Sequence, residues 1–215
     1  MPGQIPSKIW LYRIVHMNNL RYLLKKGIFT QSHVEADPHY INIGDSDLIR
    51  KRNDYSVKVN PPNGLLGEYV PFYFGPLSPM LLKIKDGNGG VTQRPQRDIM
   101  YIVCSLDEIV KSGAEWCFTN GHAKTAITEF YNDLNNLKEI DWDIVSDRYW
   151  GNSEEDFDRI RRKQAEFLVK FCVSISCVKG IITYDDQTKD FVENLISSLT
   201  LNIKVAVNPG GKYYY

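Results

Sequence analysis

Between Phe167 and Cys177 every odd-numbered position is apolar: Phe167, Val169, Phe171, Val173, Ile175 and Cys177. Successive side chains leave a pleated strand on opposite sides, so an alternation of that length is the mark of a strand with one covered face. The chain must therefore build a sheet over a core. One carboxylate, Glu166, stands where this strand begins, on the opposite parity and directly after the cations Arg161, Arg162 and Lys163. It is either a solvated ion pair, which contributes little to stability, or a charge held rigidly by the strand behind it, as a reacting group requires.

The rest of the chain reads as mixed α and β. With 215 residues and 43% apolar content it can bury a full core, and a single domain over residues 1–215 is expected. "KIWLYRIVH" (8–16) is strand-like and runs into "NNLRYLLKKG", where Leu20, Leu23 and Leu24 recur at helical spacing between a possible Asn18 cap and Gly27. Residues 28–68 have no sustained period and are expected to form a long loop with fragments of structure; loops of that length are usually binding loops or disordered. "EYVPFYFGPLSPMLLKI" (68–84) is expected to give two aromatic strand pieces, because Pro71, Pro76 and Pro79 oppose a helix or a regular central strand. "DIMYIVC" (98–104) is a buried strand, followed by a Ser105–Glu108 capping box and a short helix stopped by Gly113. Ala123, Ala126, Ile127, Phe130, Tyr131 and Leu134 form a helical stripe that places His122 in a first turn. The acidic segment 139–158 is loop or irregular helix, 159–164 a helical turn, 188–199 a helix, and "NIKVAV" a last strand.

Several function classes are excluded or disfavoured. Cations and acids balance at 26 each, so no overall field draws the protein to a polyanion and nucleic-acid contact must be local. No apolar run approaches the roughly 20 residues of a membrane helix, and "MPGQIPSKIW" lacks a signal-peptide pattern, so a cytoplasmic protein with no membrane contact is expected. Cys104, Cys117, Cys172 and Cys177 form no CxxC pair and sit in or beside apolar segments, as reduced core residues do. His16, His33, His39 and His122 are dispersed, and no metal is expected. GxGxxG after a strand, GxxxxGK[ST], HExxH and GxSxG are all missing.

What remains are local constellations. His16 ends the first strand at a helix start, where free N–H groups favour an anion, although strand-end histidines are also simply structural. "RKR" (50–52) lies beside Tyr55, and Tyr69, Phe72, Tyr73 and Phe74 crowd the next segment. Cations interleaved with aromatics suit a dinucleotide or single-stranded nucleic acid; a solvated charge run over an aromatic core is the plain alternative.

Taken in order, "IVHMNNLRYLLKKGI", "EYVPFYFGPLSPML", "FTNGHA", "DWDIVSDRYW" and "RRKQAEFLV" resemble the DarT family of DNA ADP-ribosyltransferase toxins, over nearly the whole chain. The resemblance implies an α+β ADP-ribosyltransferase fold: a split, mainly antiparallel β core with flanking helices and an NAD+ cleft between the sheets. It implies transfer of ADP-ribose from NAD+ onto a base of single-stranded DNA, typically thymine, with a macrodomain antitoxin (DarG-like) as cellular partner. Glu166 then matches the catalytic glutamate, whose carboxylate stabilises positive charge developing on the ribose. His16 matches the histidine that anchors NAD+, with Met17 and Asn18 contributing; Asn18 stands where some ADP-ribosyltransferases carry a hydroxyl residue. The functional arginine of the loop after the first helix matches Arg52 by register, with Arg50 as the alternative. It either holds the pyrophosphate or assists proton removal through a shared network, since an arginine with a pKa above about 12 is no base on its own. Tyr73 and Phe74 are candidates for packing the nicotinamide, His122 and Arg148 for shaping the DNA side, and Arg161 and Arg162 for phosphates. An acceptor on RNA or protein, or a non-catalytic binding module, are the competing readings.

Overall fold

The computed structural model describes residues 3–215. Its strands are β1 (Trp10–His16), β2 (Ile28–Phe29), β3 (Tyr69–Tyr73), β4 (Ile99–Ser105), β5 (Trp116–Thr119), β6 (Phe130–Tyr131), β7 (Glu166–Lys170), β8 (Cys172–Val173), β9 (Val178–Thr183) and β10 (Lys204–Val207). Its helices are α1 (Leu20–Lys26), α2 (Ser46–Arg52), α3 (Pro79–Asp86), α4 (Leu106–Lys111), α5 (Trp142–Ser146), α6 (Arg159–Lys163) and α7 (Asp186–Ser198). Eight strands make one sheet in the order β10-β9-β4-β1-β3-β7-β5-β6, and β2 pairs with β8 beside it. Only β9 and β10 run parallel; the other neighbours are antiparallel.

The sheet is split where the site lies. β1 pairs with β4 along its whole length, from Trp10↔Ser105 to His16↔Ile99, yet meets β3 only at Tyr12↔Tyr73. That parting explains why Pro71 sits in a central strand, contrary to the expectation from its ring. The N and C=O of one strand residue point to the same side, and the Pro71 carbonyl accepts from Arg13 Nη1 at 3.0 Å, on the β1 side. The missing N–H therefore faces the gap and costs no ladder bond, while Val70 and Phe72 complete the pairing with β7. Beyond the strand, Pro79 opens α3 behind the Ser78 cap instead of blocking a helix there.

The alternating run 167–177 is not one strand. Phe171 adopts φ 61°, ending β7 at Lys170, and its ring lies 42% exposed. Nor is β7 half-buried. Phe167 and Val169 enter the main core, while Leu168, on the face of Glu166, packs with Leu66, Tyr69, Cys117, Ala123 and Phe130. Both faces are covered because the segments 55–69 and 120–130 fold over the side expected to be open. The helix expected from the stripe Ala123–Leu134 is instead a turn, the short β6 and a 3-10 segment, Leu134–Glu139. Its early N–H groups are taken by distant partners: His122 N donates to Arg161 O and Ala123 N to Glu166 Oε1. Three cysteines are buried, but Cys172 is exposed.

Candidate active site

α2 buries none of its residues fully, so it is held by its ends. At its start Asp45 accepts from Leu48 N, and at its last residue Arg52 reaches β7. Arg52 Nη1 straddles the Glu166 carboxylate, 2.9 Å from Oε2 and 3.1 Å from Oε1. The two side chains are 12% and 4% exposed, so the pair is nearly dry. Helical geometry separates Arg52 from Arg50, because two residues along a helix rotate a side chain by about 200°. Arg50 points away, highly exposed, and pairs with Asp47.

Glu166 is fixed by two further bonds, one at its carboxylate and one at its main chain. Ala123 N donates to Oε1 at 3.0 Å, and the Glu166 main-chain N–H donates to Thr119 Oγ1 at 3.1 Å. Tyr73 lies directly opposite Glu166 in the β3–β7 register. Burial, followed by the Glu166 charge, pushes the Tyr73 phenol up, so it stays protonated. His122 stands nearby with its pKa lowered by burial against an opposing pull from Glu166, which keeps the imidazole neutral near pH 7.

A cavity of about 360 Å³ enters the parting between β1 and β3. Arg13, Arg52, Tyr73, His122 and Glu166 face it, with Thr30 from the loop after β2 and Tyr69 from β3. Among the described residues, four buried polar side-chain atoms lack a hydrogen-bond partner, and three belong to this wall: Arg13 Nε, Thr30 Oγ1 and Arg52 Nη2. Unspent buried donors converging on one cleft fit a polar, anionic ligand. An open groove of about 670 Å³ adjoins it, sharing Asp45, Leu48, Met80, His122 and Gln164. Its own lining adds Lys51, Lys83, Lys124 and Arg161, with the exposed ring of Phe157.

Apart from Arg161, the other expected site residues lie away from cleft and groove. His16 is buried at the end of β1, where Nδ1 accepts from Asn18 N and caps the turn that follows; neither it nor Met17 or Asn18 lines the cavity. Burial lowers its pKa, with Arg94 adding to the effect. Phe74 points to the other face of β3 from Tyr73 and packs edge-on against Phe118, Trp142 and Phe167, so it belongs to the core and not to the cleft. Arg162 is committed to Asp141, Asp156 and Asp158 and has no charge to spare for a phosphate. Arg161 pairs with Asp158 and donates to Asn120 and Thr128, yet remains on the groove wall. Arg148 is exposed, donates to Gly211 O and lines neither cavity. Lys163 is buried, with Nζ donating to Val145 O and Asp147 O. Arg13 was missed by sequence reasoning, although a lone charge within the apolar run "IWLYRIV" was a readable signal; Thr30 and Met80 carried none.

The family model described as "ssDNA thymidine ADP-ribosyltransferase, DarT" matches residues 12–215. The chain belongs to the DarT family. It is thus a DNA ADP-ribosyltransferase. A DNA ADP-ribosyl transferase of Escherichia coli O127:H6 is 35% identical over 205 residues, covering 95% of this chain and 94% of the relative. The solved structure of Thermus sp. 2.9 DarT in complex with ADP-ribosylated ssDNA superposes with a TM-score of 0.89 at 28% identity, covering all of both chains. Its complex with NAD+ gives 0.85, covering 98% of this chain and 100% of that one. A Thermosipho africanus protein that fuses a DNA ADP-ribosyl transferase to a DNA ADP-ribosyl glycohydrolase is 28% identical over 204 residues, covering 93% of this chain and 48% of that one.

Proposed function

We propose that the cleft between β1 and β3 takes NAD+ and that the adjoining groove brings single-stranded DNA to it, the chain acting as one domain. The observation that carries this reading is the Arg52–Glu166 pair in the cleft, which shares His122 and Gln164 with the groove, together with the unspent donors of the cleft wall. NAD+ supplies an ADP-ribosyl group with nicotinamide as leaving group. Glu166 provides a fixed negative charge beside the anomeric centre, held in place by Ala123 N–H before any reaction begins, so little reorganisation is needed. Arg52 and Arg13 serve the anionic part of the cofactor, and Arg52 holds the carboxylate in place by a direct ion pair. The protonated Tyr73 phenol and neutral His122 border the reacting region as hydrogen-bonding groups without net charge. Lys51, Lys83, Lys124 and Arg161 offer the groove's local positive charge on a molecule with none overall.

Among the described residues, no group of three or more His, Cys, Asp or Glu side chains is arranged to hold a metal ion, and no helix is long and apolar enough to cross a membrane. A cytoplasmic location, with DNA and NAD+ at hand, completes the reading, as does a macrodomain antitoxin that removes the modification. The fused glycohydrolase of the Thermosipho relative supports that pairing.

The test is incubation with labelled NAD+ and separate pools of single-stranded DNA, RNA and protein, following nicotinamide release and the labelled acceptor. Label on thymidine of single strands is expected. Label on protein or RNA alone overturns the acceptor, and intact NAD+ in every pool overturns the enzyme reading.

A further inference from the structure

The ladder between β5 and β7 ends at Phe118↔Phe167. One position further on, the Glu166 N–H points toward β5 but finds the Thr119 side chain, Oγ1 at 3.1 Å, in place of a backbone carbonyl. The same hydroxyl donates to Gly121 O at 2.7 Å. Thr119 is completely buried, so neither bond has water as a substitute. By closing the ladder with a side chain, Thr119 frees its main chain to turn at Asn120–Gly121. The turn then folds back and delivers Ala123 N–H to Glu166 Oε1 at 3.0 Å. Gly121 lets the Arg161 guanidinium pack closely on that turn, since a Cβ there would make the guanidinium shift.

We infer that Thr119 is a positioning residue for the transfer reaction: its hydroxyl locks the main chain of Glu166 to the turn that holds the Glu166 carboxylate. The inference rests on the reading of Glu166 as the charge that serves the reaction. Thr119 lines neither cavity and touches no substrate. Its effect passes wholly through the orientation of the acid, where a displacement of about 1 Å can cost 10²-fold in rate.

Thr119→Val keeps the side-chain shape and removes the hydroxyl; Thr119→Ser keeps the hydroxyl and removes the methyl. Steady-state transfer to a single-stranded oligonucleotide is measured for both, at a temperature where melting curves show each to be folded. Thr119→Val is expected to lower kcat by roughly ten- to a hundredfold with KM for NAD+ changed by less than about threefold. Thr119→Ser should return kcat to near wild type although it removes more core volume. If Thr119→Val cannot be isolated folded, Thr119→Ala in the same comparison with Thr119→Ser takes its place. Equal kcat for the hydroxyl-bearing and hydroxyl-free variants overturns the inference, as does a loss confined to KM. Glu166→Gln runs alongside: if it is inactive while Thr119→Val is normal, only the positioning role falls; if it is active, the reading of Glu166 falls first.

Discussion

Glu166→Gln separates the chemistry of the site from its architecture. The substitution leaves a carbonyl oxygen for the Ala123 N–H and removes the charge that faces Arg52. Arg52, with a side chain only 12% exposed and one guanidinium nitrogen already unpartnered, cannot recover its loss from solvent. A hydrogen bond to a charged group contributes roughly 1.5–3 kcal/mol. For a chain of this length, about 2 kcal/mol lowers Tm by roughly 4–8 °C. Glu166→Ala costs more, because it also strands the Ala123 N–H in a buried site. Glu166 is thus not free to change, as a position on an exposed strand face would be. Transfer should fall much further than stability: removing a preorganised electrostatic stabiliser costs about 10²- to 10³-fold. The assay is label transferred from NAD+ to a thymidine-containing single strand, with a melting curve on the same preparation. Transfer within about tenfold of wild type by the folded variant refutes the reasoning.

Four further outcomes follow from particular side chains and surfaces. Arg162→Ala, which releases Asp141, Asp156 and Asp158 from their shared cation, should lower Tm clearly while single-strand affinity changes little; a selective loss of DNA binding would return Arg162 to the interface. Lys83→Glu with Lys124→Glu should weaken single-strand binding and reduce the salt slope by about one for each phosphate no longer neutralised, with NAD+ affinity unchanged by calorimetry. Annealing the substrate to its complement should suppress modification, because extracting a base costs a few kcal/mol; equal rates on paired and free strands would count against the groove. Burial pushes the Lys163 amine down to about 7, so above that pH the unfolded chain holds a proton that the folded one has released. Stability from this group therefore rises as pH climbs from about 7 toward the unfolded value near 10.4, and stays at its lowest below that window. Lys163→Met should flatten that dependence in melting curves taken across the range.

Much of the scaffold was written locally. β1, β4 and α7 announced themselves through their apolar patterns, and Glu166 stood out as an acid at the start of an apolar strand, whereas the expected Ser105 cap makes no side-chain hydrogen bond. What escaped was set by distant partners. Alternation continues through Phe171 although its φ of 61° breaks the strand, because side-chain pattern carries no record of backbone sign. Ala123, Ala126 and Ile127 mimic a helix stripe, yet Ala126 and Ile127 are exposed and Ala123 alone is packed. The decisive bonds there run to Arg161 and Glu166, some 40 residues away. Pro71 in a central strand is intelligible only once the neighbouring ladder is seen to part. For the site, the RKR cluster expected within a long loop instead ends the helix α2, whose geometry separates Arg52 from Arg50. Arg162 and Phe74 drew attention by composition, but an acid triad and an aromatic core had already claimed them.

The parting between β1 and β3 also governs how the molecule yields under load. A sheet of eight strands zipped along every edge is a stiff plate, and widening it anywhere breaks many bonds at once. Here the β4–β1 half and the β3–β7 half are joined by the pair at Tyr12↔Tyr73 and the strut from Arg13 to Pro71, against seven residue pairs between β1 and β4. Compliance is thus concentrated in one seam while each half stays rigid. A bound molecule wedged into that seam is met by a soft crease, and the geometry around Glu166 travels intact with its own half of the sheet.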